Sequence, residues 1–312
     1  MAEVFTCERD GFAMRGESGN SREGRRSVTH DRGRGRPPRS ASMEVMRVVS
    51  VNVGLPRTVR WKGRDVTTGI FKKPVEGRIP LRRLNLDGDR QADLSVHGGA
   101  AKAVYAYPLE HYAFWREELG EELPCGAFGE NLTVEGLPLE EEVAVGDRFR
   151  IGTGELVVTQ PRVPCYKLGL RFGREDMVKR FLASRRTGYY LAVEVEGDVG
   201  AGDRVETLAR HPARIPVAEI IRVYASDRDN LETLERLVVL DALPEDWRRY
   251  FEKKLAEKIA ASTAETIGQK VDDRPVESDG AARAAALIAS PREVDKGRRP
   301  RTPRPRRTTA AT

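Results

Sequence analysis

The chain has 312 residues, enough for one large domain or two ordinary ones, and its three cysteines are too few and too far apart for a disulfide framework or a cysteine-rich metal site. Because no apolar run approaches the roughly 20 residues of a membrane helix, this composition predicts a cytoplasmic protein without a membrane partner. The positive net charge of +6 comes from the two ends, since residues 1–42 carry +3 and residues 291–312 carry +6, which leaves −3 for residues 43–290. This mildly acidic central part predicts no specific nucleic-acid partner.

The two ends of the chain are predicted to be disordered. Residues 1–42 form an Arg-, Gly- and Ser-rich extension without apolar periodicity, and residues 261–312 form a largely disordered basic tail. Such segments bury too little apolar surface to offset the entropy of ordering.

Residues 43–210 are predicted to form a mainly β domain. Short strand-like runs alternate there with Gly- and Pro-bearing turns, which favours a curved sheet or closed β-barrel over a doubly wound fold. Two helices interrupt the strands, one with Pro108 in its first turn and one from Arg174 to Ser184. Residues 211–260 change to helical periodicity and predict a small three-helix domain, with Asp229 or Asn230 as a candidate N-cap.

A lone cysteine lies in the stretch TQPRVPCYKL, where two prolines precede it and one cation lies on each side of it. Pro161 and Pro164 predict a stiff, non-helical segment, and the nearby Arg162 and Lys167 would stabilise the thiolate form of Cys165. A thiolate binds metals and attacks electrophiles, so the pattern is compatible with a functional site. The alternative is a buried cysteine that serves as a small apolar side chain.

Two further stretches contain candidate site residues. In LDGDRQADLSVHGG, the pair Gly98 and Gly99 would leave consecutive amides free to bind an anion. His97 would be a ligand or a proton donor. A hairpin turn with a structural histidine is an equal alternative. Lys102 opens the next predicted strand, where it would reach the same anion, although a solvated lysine is the default. In FGENL, Glu130 and Asn131 would orient a polar ligand or form a plain turn.

Five motifs in this order resemble the MOSC domain family, named for the C-terminal domain of molybdenum cofactor sulfurase: DGDRQADLSVHGG, KAVYAYPLEHYAFW, FGENL, VGDRFRIG and QPRVPCYKL. They are most similar to the bacterial hydroxylaminopurine-resistance branch, which carries a three-helix domain after the barrel. The resemblance runs from about Val45 to about Lys258. It implies a MOSC-type β-barrel with a few helices, followed by the small three-helix domain.

The resemblance also implies a cofactor. The barrel would bind the molybdenum cofactor, a molybdopterin, and the family's cysteine corresponds to Cys165, expected as metal ligand and catalytic residue. The residues implied around the phosphate of the pterin are His97, Gly98, Gly99, Lys102, Arg162 and Lys167. Glu130 and Asn131 would contact the pterin or the substrate.

The leading functional hypothesis is the molybdenum-dependent reduction of N-hydroxylated compounds, such as hydroxylaminopurine, for detoxification. A separate electron-donor protein is expected, since the sequence carries no flavin, haem or iron-sulfur signature. Two alternatives stay open: a sulfur-transfer or cofactor-carrier module with a persulfide on Cys165, and a non-catalytic interaction domain in which Cys165 is buried and remote from His97 and Arg162. The oligomeric state is not fixed by the sequence.

Overall fold

The computed structural model describes residues 45–92, 98–227 and 230–272, with side chains as far as residue 263. The described residues up to Ala260 belong to one compact unit, and residues 261–272 are the described part of a second. The predictions for residues 1–42, for His97 and for most of the basic tail lie outside the described residues. None of the described helices has the length and apolar content needed to span a membrane.

The described strands lie in one large sheet and two small antiparallel pairs. In chain order they are β1 Arg47–Val53, β2 Arg57–Trp61, β3 Arg64–Thr68, β4 Lys73–Pro74, β5 Arg78–Leu81, β6 Val104–Pro108, β7 Leu132–Glu135, β8 Arg148–Ile151, β9 Gly154–Pro161, β10 Tyr189–Val195, β11 Gly197–Gly200 and β12 Val205–Ala209. The large sheet has the order β12-β8-β9-β10-β6-β7-β1-β4, and the small pairs are β2 with β3 and β5 with β11.

The prediction of a closed β-barrel is wrong, because the large sheet has two ends. One end is β4, which has only two residues and contains Pro74, a residue with no N–H to extend a ladder. The other end is β12, and the residue just before it, Arg204, forms an isolated bridge with Arg47 of β1. The sheet-dominated fold with several helices and a C-terminal helical domain is confirmed.

The described helices are α1 Glu110–Leu119, α2 Tyr166–Phe172, α3 Met177–Ser184, α4 Val217–Ala225, α5 Leu231–Val238 and α6 Glu245–Asp272. Helix α1 joins β6 to β7, the parallel pair of the large sheet, as a parallel connection requires. Helix α2 was not predicted, and it corrects the non-helical interpretation of residues 159–168: β9 extends to Pro161 and α2 begins at Tyr166. The intervening residues 162–165 are the extended segment.

An aromatic cluster joins strand β6 to helices α1 and α3. Tyr107 stacks on Phe128 at a centroid distance of 4.7 Å, and the indole N–H of Trp115 donates to the Tyr107 hydroxyl at 2.7 Å. Phe181 of α3 stacks on Trp115 at 5.7 Å. These side chains are fully buried, so helices α1 and α3 and strand β6 are held together by one apolar cluster.

Helices α4 to α6 form the C-terminal helical region, and their apolar faces join the main core through residues such as Ile220, Leu234 and Phe251. The Asn230 side chain accepts a hydrogen bond from Thr233 N at 3.0 Å, which confirms Asn230 as the N-cap of α5. Helix α6 continues past residue 260, the predicted end of the three-helix domain. Residues 256–265 are rich in Ala, Glu and Lys, which favour helix.

Asp147 ties the segment before α4 to the large sheet. Its buried carboxylate accepts hydrogen bonds from the backbone N–H of Ala144 at 3.0 Å and of His211 at 2.8 Å. Arg210 donates to it at 2.9 Å and Arg214 at 3.0 Å. The start of β8 and the chain leading into the helical region are therefore joined through one side chain.

Candidate functional site

A cationic pocket lies beside the segment that carries Cys165. Its described lining residues are Thr68, Gly69, Ile70, Lys72, Arg90, Gln91, Ala92, Lys102, Tyr105, Gly129, Asn131, Arg162, Val163, Cys165, Lys167 and Tyr190. Five of these described residues are Lys or Arg and none is Asp or Glu. A concave surface of this charge concentrates anions and binds them.

Cys165 is half-buried on the pocket wall, at the N-cap position of α2. The preceding Pro164 is buried and the following Tyr166 is exposed, so the chain rises from the core to the surface at the cysteine. Arg162 and Lys167 line the same pocket. The thiol, the two cations and the pocket are thus brought together by the short connection between β9 and α2.

Arg162 is the most unusual side chain of the pocket. Only 6% of its surface is exposed, and its guanidinium carbon lies 5.1 Å from the Tyr105 ring centroid and 5.0 Å from that of Phe181. Its Nη1 is buried and has no hydrogen-bond partner in the part of the chain that the structure describes. Burial works against the charged form, yet Tyr105, Tyr190 and Cys165 raise the pKa of Arg162 above its ordinary value. A buried, charged donor without an acceptor is expected to bind an anion that enters the pocket.

A buried ion pair forms another part of the wall. The Lys72 ammonium contacts an Asp89 carboxylate oxygen, and 10% of the lysine side chain and 1% of the aspartate side chain are exposed. Asp89 also accepts from Asn131 Nδ2 at 2.9 Å and from the backbone N–H of Gly54 at 3.0 Å. Lys72 could not be identified as a site residue from the sequence, because no motif marks it and only the fold brings it beside Asp89.

Asn131 lines the pocket, whereas its neighbour Glu130 is not among the lining residues. Glu130 is fully buried, and its carboxylate accepts hydrogen bonds from the hydroxyls of Tyr112 and Thr133 and from the backbone N–H groups of Gly126 and Phe128. These four donors hold the turn that precedes β7. The structure therefore places Glu130 in the scaffold of the site, where its predicted contact with a ligand has no support from the geometry.

The two glycines of the double-glycine segment lie among the described residues, whereas His97 does not. Gly98 and Gly99 are not among the pocket-lining residues, and Gly99 has the positive φ of 96° that glycine adopts easily. Lys102 lines the pocket from a short 3-10 turn, Ala100–Lys102, which corrects its predicted position at the start of a strand. Its Nζ lies 4.0 Å from the Asp246 carboxylate of α6.

Comparison with known proteins identifies the family. The MOSC domain model matches residues 93–206, and the model for the YiiM-like, 3-alpha helix domain matches residues 215–258. The protein YflK of Bacillus subtilis is 45% identical over 207 residues, which cover 66% of this chain and 93% of YflK. This chain belongs to the MOSC family and has the YiiM-like helical domain. The crystal structure of YiiM from Geobacillus stearothermophilus is 34% identical, has a TM-score of 0.58, and matches 67% of this MOSC protein and 99% of that chain.

A third relative is a longer protein with a reductase name. A protein of Gibberella moniliformis named as a reductase is 32% identical over 176 residues, which cover 55% of this MOSC chain and 31% of that longer protein. MOSC domains are associated with molybdenum cofactor binding, and the family includes enzymes that bind this cofactor.

The pocket of this MOSC domain fits a phosphate-bearing group that carries a thiophilic metal. Arg162 offers a buried donor for which the described residues supply no acceptor, Lys102 and Lys167 add positive charge, and Cys165 offers a sulfur ligand on the same wall. Among the residues that the structure describes, no group of three or more His, Cys, Asp or Glu is arranged to hold a metal ion.

Proposed function

We propose that this MOSC protein binds the molybdenum cofactor in the cationic pocket and reduces N-hydroxylated compounds. The observation that carries the proposal is the buried Nη1 of Arg162, which has no acceptor among the described residues and lies in the same pocket as Cys165. An unsatisfied buried donor of this kind costs about 1–3 kcal/mol or more when charged, so its place in a pocket implies an anionic ligand.

The residues of the pocket would have different roles. Cys165 would bind the metal through its thiolate, and the cations Arg162, Lys102 and Lys167 would bind the phosphate of the pterin. When bound, the cofactor supplies two-electron oxygen-transfer chemistry, which suits the reduction of an N–O bond. Tyr105 and Tyr190 form an aromatic pair at 5.3 Å on the same wall and exclude water from one side of the pocket.

The reaction needs two electrons from outside this chain. The sequence has no flavin, haem or iron-sulfur signature, so a separate redox protein is the proposed donor. The substrate would be a hydroxylamine such as hydroxylaminopurine. Neutral amines leave a cationic pocket more readily than anions do, which is compatible with release of the product.

The test begins with metal content. The protein is purified from a host that makes the molybdenum cofactor and, as a control, from one that does not, and each preparation is analysed for molybdenum and for hydroxylamine reduction with a small artificial electron donor. We expect stoichiometric molybdenum and activity only in the first preparation. Cys165→Ser should lose both.

Two results would contradict the proposal. Protein that contains a persulfide on Cys165 and no molybdenum would support the sulfur-carrier alternative. Cys165→Ala protein that keeps both molybdenum and activity would mean that the thiol is not an essential metal ligand.

A further inference from the structure

Lys72 is a buried cation that has more donors than partners. Its ammonium group carries three N–H donors. Among the described residues, the acceptor for this ammonium is the Asp89 carboxylate. Lys72 lines the pocket, and only 10% of its side chain is exposed. The remaining donors are therefore available to a molecule bound in the pocket.

Asp89 holds this ammonium in place. Its carboxylate is fixed by the backbone N–H of Gly54 at 3.0 Å and by Asn131 Nδ2 at 2.9 Å. Its backbone is fixed as well, since Asp89 N donates to Leu86 O at 3.0 Å and Asn85 Nδ2 donates to Asp89 O at 3.2 Å. A carboxylate held by backbone and side-chain donors cannot follow Lys72 away from the wall, so the pair is rigid.

The charges around Lys72 set its proton affinity. Burial lowers the pKa of Lys72 below its ordinary value, and the carboxylates of Asp89 and Glu130 oppose this effect. The other titratable or charged groups that line the same pocket are Arg90, Lys102, Arg162, Lys167, Cys165, Tyr105 and Tyr190. A lysine with a lowered pKa is a better proton donor than a solvated one.

We propose that Lys72 is the proton donor of the proposed reduction, with Asp89 as its positioning residue. This inference rests on the proposed function. In the balanced step, R–NH–OH takes two electrons from the separate redox protein and two protons, the N–O bond breaks, and the products are R–NH₂ and water. Lys72 gives one proton to the departing oxygen, solvent gives the other to nitrogen, and solvent then returns a proton to Lys72.

The test compares Lys72→Met with Lys73→Met. The two lysines are adjacent, but Lys73 is exposed and does not line the pocket, which makes it a matched control. We expect Lys72→Met to keep the molybdenum content and the substrate Kd measured by calorimetry, and to lower kcat by about 10²- to 10⁴-fold. Lys73→Met should match the wild type in all three measurements.

Two readouts separate proton donation from a structural role. The wild-type kcat should fall at high pH as Lys72 loses its proton, and this dependence should be absent in Lys72→Met. In Lys72→Ala, added alkylammonium ions should restore part of kcat, with a rate that depends on the pKa of the amine, because a small amine can enter the space left on the pocket wall.

The outcomes distinguish failure of this inference from failure of the proposed function. Wild-type protein without molybdenum would overturn the proposed function. Fully loaded Lys72→Met with a wild-type kcat would overturn proton donation and leave the proposed function standing. Loss of molybdenum from Lys72→Met would overturn proton donation in favour of a cofactor-binding role.

Discussion

Glu130→Gln tests whether this residue supports the site or contacts the ligand. The carboxylate accepts from Gly126 N at 2.8 Å, Thr133 Oγ1 at 2.9 Å and the Tyr112 hydroxyl through one oxygen, and from Phe128 N at 3.1 Å through the other. Glutamine has the same shape but replaces one oxygen with an NH₂ group. Whichever way the amide is oriented, at least one buried donor then faces another donor.

The loss of stability follows from these contacts. The better orientation keeps the amide oxygen on the three-donor side and leaves the Phe128 N–H without an acceptor, which costs about 1–3 kcal/mol. The three remaining hydrogen bonds change from charge-assisted to neutral and become weaker, and the lower desolvation cost of glutamine offsets part of this. We expect a net loss of about 3 kcal/mol, which corresponds to a fall in Tm of about 6–12 °C for a domain of this size.

The assay is thermal unfolding of Glu130→Gln beside wild type and Glu141→Gln, since Glu141 is an exposed glutamate. Molybdenum content is measured on the same samples below their melting temperatures. Unchanged Tm with loss of molybdenum in Glu130→Gln would refute the scaffold interpretation and favour the direct ligand contact predicted from the sequence.

Much of the fold follows from local patterns in the sequence. Strand β10, Tyr189–Val195, can be recognised from the sequence, because apolar residues alternate there between two turns. The three C-terminal helices follow from their apolar faces and from the cap at Asn230. The β2–β3 hairpin was not predicted as two strands, since its charged and mostly exposed residues show no alternation that marks a buried face.

The architecture of the site was less accessible to sequence reasoning. Cys165, Arg162 and Lys167 are neighbours in sequence, so their shared pocket could be anticipated from one motif. Lys72 pairs with Asp89 across 17 residues, and no local pattern records such a pairing. Three of the four donors to Glu130 lie within four residues of it in the sequence, but Tyr112 is 18 residues away and only the fold brings its hydroxyl to the carboxylate. The ligand-binding roles of all these residues stay predictions.

Two further substitutions address the anion site and the junction with the helical region. Arg162→Met should lose molybdenum. It should change the unfolding free energy by less than about 1–2 kcal/mol in thermal or urea unfolding, because an apolar side chain can replace the packing of a buried cation that has no carboxylate partner among the described residues. Wild-type molybdenum content in this variant would show that Arg162 does not bind the cofactor. Asp147→Asn should destabilise the protein by about 1–3 kcal/mol at neutral pH, since Arg210 and Arg214 lose a carboxylate. Burial raises the pKa of Asp147, but its two backbone donors and these arginines outweigh burial, so the folded pKa lies below the ordinary value. The contribution is therefore complete above the unfolded pKa of about 3.9 and is lost as the pH falls through the folded pKa. The difference in unfolding free energy between wild type and Asp147→Asn should shrink as urea unfolding is repeated at decreasing pH below about 4. A difference that stays constant across this range would mean that the charge of Asp147 does not stabilise the junction.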